Sequence, residues 1–373
     1  QQATQADVFE NASFLCQSVL DGYNVCVFAY GQTGSGKTFT MAGSPEQPGL
    51  QPRCVRELFD LAKSAENEYR TTFECSMVEI YMDQIIDLLV PQRKTAHPKL
   101  EVQRSSDGTV RIVGATRVPC ETVEDVLQVI TRGSAARHTG ATLMNADSSR
   151  SHLITMIFAE STNVRTGQGS RGKLNLVDLA GSERQSKTKA TGQRLKEAQA
   201  INKSLSSLGN VIHALSHGEK VIPYRDSKLT MVMSDSLGGN AKTLMFVNVS
   251  PVDYNTEETI NSLLYAQRVR KVRNKAQKLK PGSDSDEQLA ALRDLQAALQ
   301  AAIPHCDDQQ RHGALIHPQP QPHLLPHPHL RRSRYRLPRN PSRGQQDPHG
   351  PRRTHLLPYP HRRTNGRRHA WRT

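Results

Sequence analysis

The residues best suited to chemistry in this chain lie in one loop. Asn24 to Met41 reads NVCVFAYGQTGSGKTFTM, an apolar run followed by GQTGSGKT, which satisfies G-x-x-x-x-G-K-[S/T] at every fixed position. Such a loop is built to hold phosphate. Gly31, Gly34 and Gly36, with Gln32, Thr33 and Ser35 between them, let the backbone curl so that its N–H groups converge on one anion. A helix beginning near Lys37 adds its positive dipole end. Lys37 is then placed to reach the β- and γ-phosphates of a nucleoside triphosphate, and the Thr38 hydroxyl to take one position on Mg²⁺.

Two later stretches supply what the loop lacks. KLNLVDLAGSE runs from Lys173 into Asp178, an acid at the carboxyl end of a buried strand, where it can hold a Mg²⁺-bound water opposite Thr38. Gly181 follows at a distance from which its N–H can meet the γ-phosphate. NADSSRSH, Asn145 to His152, offers the adjacent hydroxyls of Ser148 and Ser149 to phosphate and metal, while Arg150 stands ready to pair with an acid. A contact made only with the γ-phosphate is lost on hydrolysis, so a conformational switch is expected.

These residues need a sheet to hold them. Over residues 1–275 apolar strands alternate with amphipathic helices, which predicts an α/β fold with a mostly parallel or mixed central sheet flanked by helices. The strands expected are 25–30, 72–81, 100–102, 110–113, 152–160, 173–178 and 243–249. Helices are expected at 7–20, 54–64, 123–138, 199–216, 227–237 and 256–275. The Asp-Gly pair of SSDG, 105–108, predicts a hairpin turn.

Composition excludes several classes. No apolar run approaches the ~18 residues of a membrane span and no basic segment with an apolar core opens the chain, so a soluble protein without a leader is expected. The six cysteines lack ligand spacing, which argues against zinc and disulfides. The net charge of +14 suggests nucleic acid until it is located: residues 304–373 carry 14 Arg against 3 Asp, a net +11, and leave +3 for residues 1–303. That tail also holds 10 of the 15 His and 12 of the 21 Pro, so it reads as disordered low-complexity sequence, with no specific nucleic-acid site.

GQTGSGKTFTM, NADSSRSH and DLAGSE in that order, with LKEAQAINKSLSSLG at 195–209 and IPYRDSKLT at 222–230, resemble the kinesin motor domain over residues 1 to about 275. No N-K-x-D motif supports a GTPase. The resemblance implies a P-loop ATPase that binds ATP and Mg²⁺, is stimulated by microtubules and works on the cytoskeleton in the cytoplasm, the spindle included. It implies that residues 31–38 bind the phosphates, that Ser148 and Ser149 belong to a first switch with Ser149 on Mg²⁺, and that Asp178 and Gly181 open a second. Arg150 and Glu183 are implied to form the ion pair that closes the switches, and Asn202 to relay their state to the track. Lys187, Lys189, Arg194, Lys203, Arg225 and Lys228 are implied to face the acidic surface of tubulin.

MVMSDSLGGNAKTLMFVNVSP and NSLLYAQRVR are most similar to the minus-end-directed kinesins with C-terminal motors, of the calmodulin-binding type. Against the family pattern the chain starts late: two opening strands and an R-x-R-P segment that packs on adenine are expected before QQATQADVFE, so a truncated motor is expected, with strand 243–249 left as an uncovered edge. After a linker from 276, residues 283–303 offer a capping box and apolar positions 292, 295, 299 and 303 of one amphipathic helix. It serves as a regulatory element or calmodulin target on one reading. On the other, favoured by its acidic-to-neutral charge, it is a solvent-facing helix or piece of coiled coil. Two functions follow: an ATP-hydrolysing microtubule motor, or a non-motile microtubule-binding relative with little turnover.

Overall fold

A T-x-x-D capping box starts the first helix, α1 (Gln5–Leu20): the Thr4 hydroxyl accepts the Asp7 N–H at 3.3 Å, and the Asp7 carboxylate accepts the Thr4 N–H at 2.7 Å. Then come β1 (Asn24–Tyr30), α2 (Lys37–Met41), α3 (Leu50–Ser64), β2 (Tyr69–Tyr81), β3 (Gln84–Asp87), β4 (Glu101–Arg104), β5 (Val110–Val113), β6 (Val118–Cys120) and α4 (Val123–Gly140). The second half supplies β7 (His152–Asn163), β8 (Gly169–Asp178), α5 (Gln193–Ser216), α6 (Lys228–Val232), β9 (Lys242–Val247) and α7 (Thr256–Val269). This computed structural model describes residues 3–90, 99–140, 148–183 and 192–279. Lys187, Lys189, the helix expected at 283–303 and the tail from 304 lie outside the described residues.

The main sheet runs β3-β2-β7-β8-β1-β9, with β6 also on β2. It is mixed. β1 pairs parallel with β8 and β9, whereas β7 pairs antiparallel with both β8 and β2. Alternation along β1 serves two cores at once. Val25, Val27 and Ala29 join Leu15, Val19, Leu50 and Leu58 beneath α1 and α3, while Cys26 and Phe28 join Leu208, Ile212 and Tyr265 beneath α5 and α7. A strand buried on both faces reads as one continuous apolar run, which is why it was legible. β9 ends the strand order among the described residues, all six of its positions half-buried, so the edge expected there is present.

Where the elements differ from expectation, side chains decide. The hairpin at SSDG forms, with Gly108 at φ +85°. β3 escaped notice because its turn is Met82-Asp83, both left-handed at φ +49° and +60° without a glycine to announce it. β6 has Pro119 at its centre. α5 starts at Gln193, six residues ahead of the expected 199, and 227–237 splits into α6 and a 3-10 turn, Met233–Asp235. α7 stops at Val269 rather than running to 275, because Asn274 is spent on the neighbouring loop. Its side-chain amide donates to the carbonyls of Ser236 and Ala241 at 2.8 and 2.9 Å and accepts the Gly238 N–H at 2.7 Å. The chain then runs as an extended strip, and the Leu279 N–H reaches the Gly22 carbonyl at 2.7 Å.

A buried ion pair fastens the β4–β5 hairpin to the sheet. Lys173 Nζ lies 2.7 Å from Asp235 Oδ2 and 2.9 Å from the Val110 carbonyl, and Asp235 Oδ2 accepts the Val110 N–H at 2.9 Å. Removing one partner strands a buried charge. Lys173→Met is expected to cost about 3–5 kcal/mol, and adding Asp235→Asn, which keeps an acceptor for Val110, to recover most of it. Urea unfolding of the wild type, the single and the double variant checks both expectations.

Candidate functional site

The phosphate loop closes on its own carbonyl. Gly36, at φ +97°, caps α2 in a conformation that suits glycine alone. The Gln32 carbonyl accepts the Ser35 N–H at 3.2 Å, the Ser35 hydroxyl at 2.7 Å and Lys37 Nζ at 3.0 Å, so the buried lysine is drawn along the loop. Thr38 then meets Asp178 directly: its hydroxyl donates to Oδ2 at 2.7 Å.

Asp178 is buried, and its other oxygen, Oδ1, has no hydrogen-bond partner among the described residues. Burial raises its pKa above the ordinary carboxylate range, and the Thr38 hydroxyl and the charges of Arg137 and Lys37 offset part of that rise. An orphaned carboxylate oxygen beside a threonine hydroxyl, with oxygen donors only, fits Mg²⁺ or a water held by it. Arg137 of α4 was not foreseen. Its Nη1 stands 4.0 Å from Asp178 Oδ2, its Nε donates to Glu79 Oε1 at 3.3 Å, and its Nη2 donates to the Ser151 carbonyl and hydroxyl at 3.0 Å each. The signal was there: Arg137 lies at helical spacing from the buried Val126 and Val129, a cation on the apolar face.

The two segments expected to act as switches touch each other and the loop. The Gly181 N–H, expected to be available to a γ-phosphate, donates to the Ser149 carbonyl at 2.9 Å, and the Ser182 N–H to the Gly31 carbonyl at 3.1 Å. A Cβ at Gly181 would overlap the Glu183 carboxylate and the Thr33 hydroxyl, so a side chain here would displace the Glu183–Thr33 contact. Ser148 and Arg150 stand in the 3-10 turn Ser148–Arg150.

The ion pair expected between Arg150 and Glu183 is absent from this structure. Arg150 Nη1 donates instead to the buried Glu197 Oε2 at 2.7 Å, and Glu183 accepts the Thr33 N–H at 2.8 Å and the Thr33 hydroxyl at 2.5 Å. Each charge has taken the better local partner. Glu197, which also accepts the Tyr81 hydroxyl at 2.7 Å, is a buried acid that requires a cation, and Thr33 offers two convergent donors. Glu197 is visible in the sequence only as an acid two helical turns from Ser204 on the buried face of α5.

His152 opens β7 beside this turn and is buried. Its Nδ1 accepts the Ala180 N–H at 3.1 Å and its Nε2 lies 2.8 Å from Ser204 Oγ on α5. Burial pushes the imidazole down to about 3, with the charges of Arg137 and Lys37 acting the same way, so the ring is neutral.

The basic residues expected to face a partner are gathered only in part. Arg225 is exposed in the 3-10 turn Tyr224–Asp226, Lys228 begins α6, Arg194 stands in the first turn of α5, and Asn202 is half-buried on that helix. Lys203 is exposed but paired. Its Nζ lies 3.0 Å from Asp83 Oδ2, and Asp83 Oδ1 accepts the Lys228 N–H at 2.7 Å.

The raised pKa of Asp178 carries a stability cost with a definite sign. A carboxyl whose folded pKa is raised contributes stability that is full below the unfolded value, ~3.9, and lost as pH rises through the folded one. Asp178→Asn is therefore expected to raise the unfolding midpoint at pH 7 and to lose that advantage towards pH 4. Thermal unfolding at the two pH values checks the sign.

Among the described residues no helix is long and apolar enough to cross a membrane. Residues 1–272 match the kinesin motor domain family. The chain is 54% identical over 273 residues to the kinesin-like protein KIN-14E of Arabidopsis thaliana and 56% identical over 275 residues to KIN-14I of Oryza sativa subsp. japonica, covering 73% and 74% of this chain. It spans about a fifth of their length, 22% in each case. Among solved structures, a fast kinesin is similar at a TM-score of 0.69 and 43% identity, over 75% of this chain and 80% of that one. A KIF14 dimer with AMP-PNP in complex with a microtubule follows at 0.68 and 41%, with the same coverage. Loop, switches and sheet thus agree with matches that cover most of the chain, which belongs to the kinesin motor domain family.

Proposed function

We infer that this chain is an ATP-hydrolysing motor whose nucleotide site governs its binding to, and movement along, microtubules, with minus-end direction suggested by its KIN-14 relatives. The Thr38–Asp178 contact supports this reading best, because it joins the phosphate loop to the strand that carries the second switch. In this reading residues 1–275 are the motor, 276–303 a linker and short helix, and 304–373 an Arg/His/Pro-rich tail. Gly31, Gln32, Thr33, Gly34, Ser35, Gly36, Lys37 and Thr38 bind the phosphates, with Lys37 as the nearest cation. Thr38, Ser149 and, through water, Asp178 would hold Mg²⁺, which when bound would supply charge neutralisation at the phosphate oxygens.

The protein's own part is positioning, which dominates phosphoryl transfer. Ser148 offers its hydroxyl to the phosphates. Gly181 exchanges its bond to Ser149 for one to the γ-phosphate. Arg150 anchors the first switch to α5 through Glu197, and Glu183 covers the loop at Thr33. Asn202 and its helix pass the state of the site to a surface of Lys187, Lys189, Arg194, Lys203, Arg225 and Lys228, which is steered by the acidic face of tubulin. The similar KIF14 structure, with AMP-PNP on a microtubule, supports both ligands.

Lys37→Ala is expected to lower microtubule-stimulated ATP hydrolysis by at least about 100-fold, as loss of a preorganised charge does. Turnover within a fewfold of wild type would refute the site, and microtubule binding without turnover in the wild type would favour the non-motile reading. A second expectation separates the patch from the tail, whose exposed charges are screened over ~8 Å at physiological salt. Deleting residues 304–373 should lower affinity yet leave its nucleotide dependence, whereas Arg225→Ala with Lys228→Ala should reduce the nucleotide-dependent part. Co-sedimentation in ADP and in a non-hydrolysable ATP analogue, across a salt series, decides between them.

A further inference from the structure

We propose that His152 is a positioning residue, whose two ring nitrogens tie the backbone at Ala180–Gly181 to Ser204 of α5 and so transmit the state of the second switch to that helix. The proposal rests on the ATPase reading for what moves the switch, and on the geometry below for the connection.

Three separate elements meet at this ring. The Ala180 N–H donates to Nδ1 at 3.1 Å, and since a backbone amide can only donate, Nδ1 carries the lone pair and the ring proton sits on Nε2. Nε2–H therefore donates to Ser204 Oγ at 2.8 Å, and the Ser204 hydroxyl gives its own hydrogen to the Ile201 carbonyl at 2.8 Å. The path has one direction and uses both polar atoms of the imidazole. Its partners lie 28 and 52 residues away, on a switch segment and on α5, so the ring bridges structure remote from its own strand.

Ala180 and Gly181 donate consecutive amides to different segments: Ala180 to His152, Gly181 to the Ser149 carbonyl at 2.9 Å. The two rigid peptide planes share the Ala180 Cα, and Ala180 is fully buried. A displacement of this backbone that carries Ala180 along with Gly181 as it leaves Ser149 acts on the bond to His152. On α5, Ser204 lies two turns from Glu197, which holds Arg150. One helix face thus receives both switches, the first through an ion pair and the second through His152.

The test measures α5 directly, by amide hydrogen exchange of a peptide spanning residues 197–209 in the 373-residue chain, with ADP and with a non-hydrolysable ATP analogue. Wild type is expected to exchange differently in the two states. Ser204→Ala and His152→Asn, which keeps an acceptor near Nδ1 but loses the donor at Nε2, should each abolish most of that difference, while Ser204→Thr, which keeps the hydroxyl, should retain it. The two disruptive changes together should do no more than either alone. In turnover, Ser204→Ala should leave basal hydrolysis unchanged and lower the microtubule-stimulated rate about tenfold, the equivalent of ~1.4 kcal/mol. A folded Ser204→Ala protein with wild-type nucleotide dependence in α5 overturns the proposal, whatever its turnover. So does a wild type that binds nucleotide without any change in α5, which leaves the ATP-binding reading intact, whereas failure to bind nucleotide refutes both.

Discussion

The hydroxyl of Thr38 holds the carboxylate of Asp178 at 2.7 Å, and this one buried contact joins the phosphate loop to the end of β8. Everything around it bears the consequences of burying a charge. Arg137 is brought up beside it, held by Glu79 and Ser151, yet one oxygen of Asp178 has no hydrogen-bond partner among the described residues and the group's pKa stays raised. A fold selected for stability alone would have placed an amide or an apolar residue here.

From that point outward the site is a set of exchangeable polar contacts resting on a rigid base. The base is β1, buried on both faces and paired parallel with β8 and β9, which brings the loop after β1 and the segment after β8 to the same end of the sheet. The contacts above it are different in kind. Gly181 to Ser149, Glu183 to Thr33, Arg150 to Glu197 and His152 to Ser204 are each one or two hydrogen bonds between segments distant in sequence. Each is worth a few kcal/mol at most, small enough to be traded for a phosphate contact.

Charge on the outer surface follows the same rule of local partners. Asp83, in a tight turn with two non-glycine residues in the left-handed region, both pairs Lys203 and accepts the first N–H of α6. A basic residue counted in the sequence as available to an acidic partner is thus already engaged, weakly and in solvent, where such pairs contribute ~0–1 kcal/mol. Competition from another carboxylate is therefore inexpensive.

Sequence alone was enough for the phosphate loop, the acid at the end of β8, the helices of the two cores and the strands other than β3 and β6. Those features are written in local pattern: fixed glycine spacing and a period of two or 3.6 in apolar residues. Which polar groups become neighbours is settled by packing in three dimensions. Arg150 pairs with Glu197 rather than Glu183, Arg137 stands behind Asp178, and α7 ends early because Asn274 is drawn onto the loop before β9. No periodicity encodes such pairings. A charged or amide side chain takes whichever buried partner the packing of distant elements brings within about 3 Å, and desolvation makes that choice decisive, because a buried group left without a partner costs more than any surface contact returns.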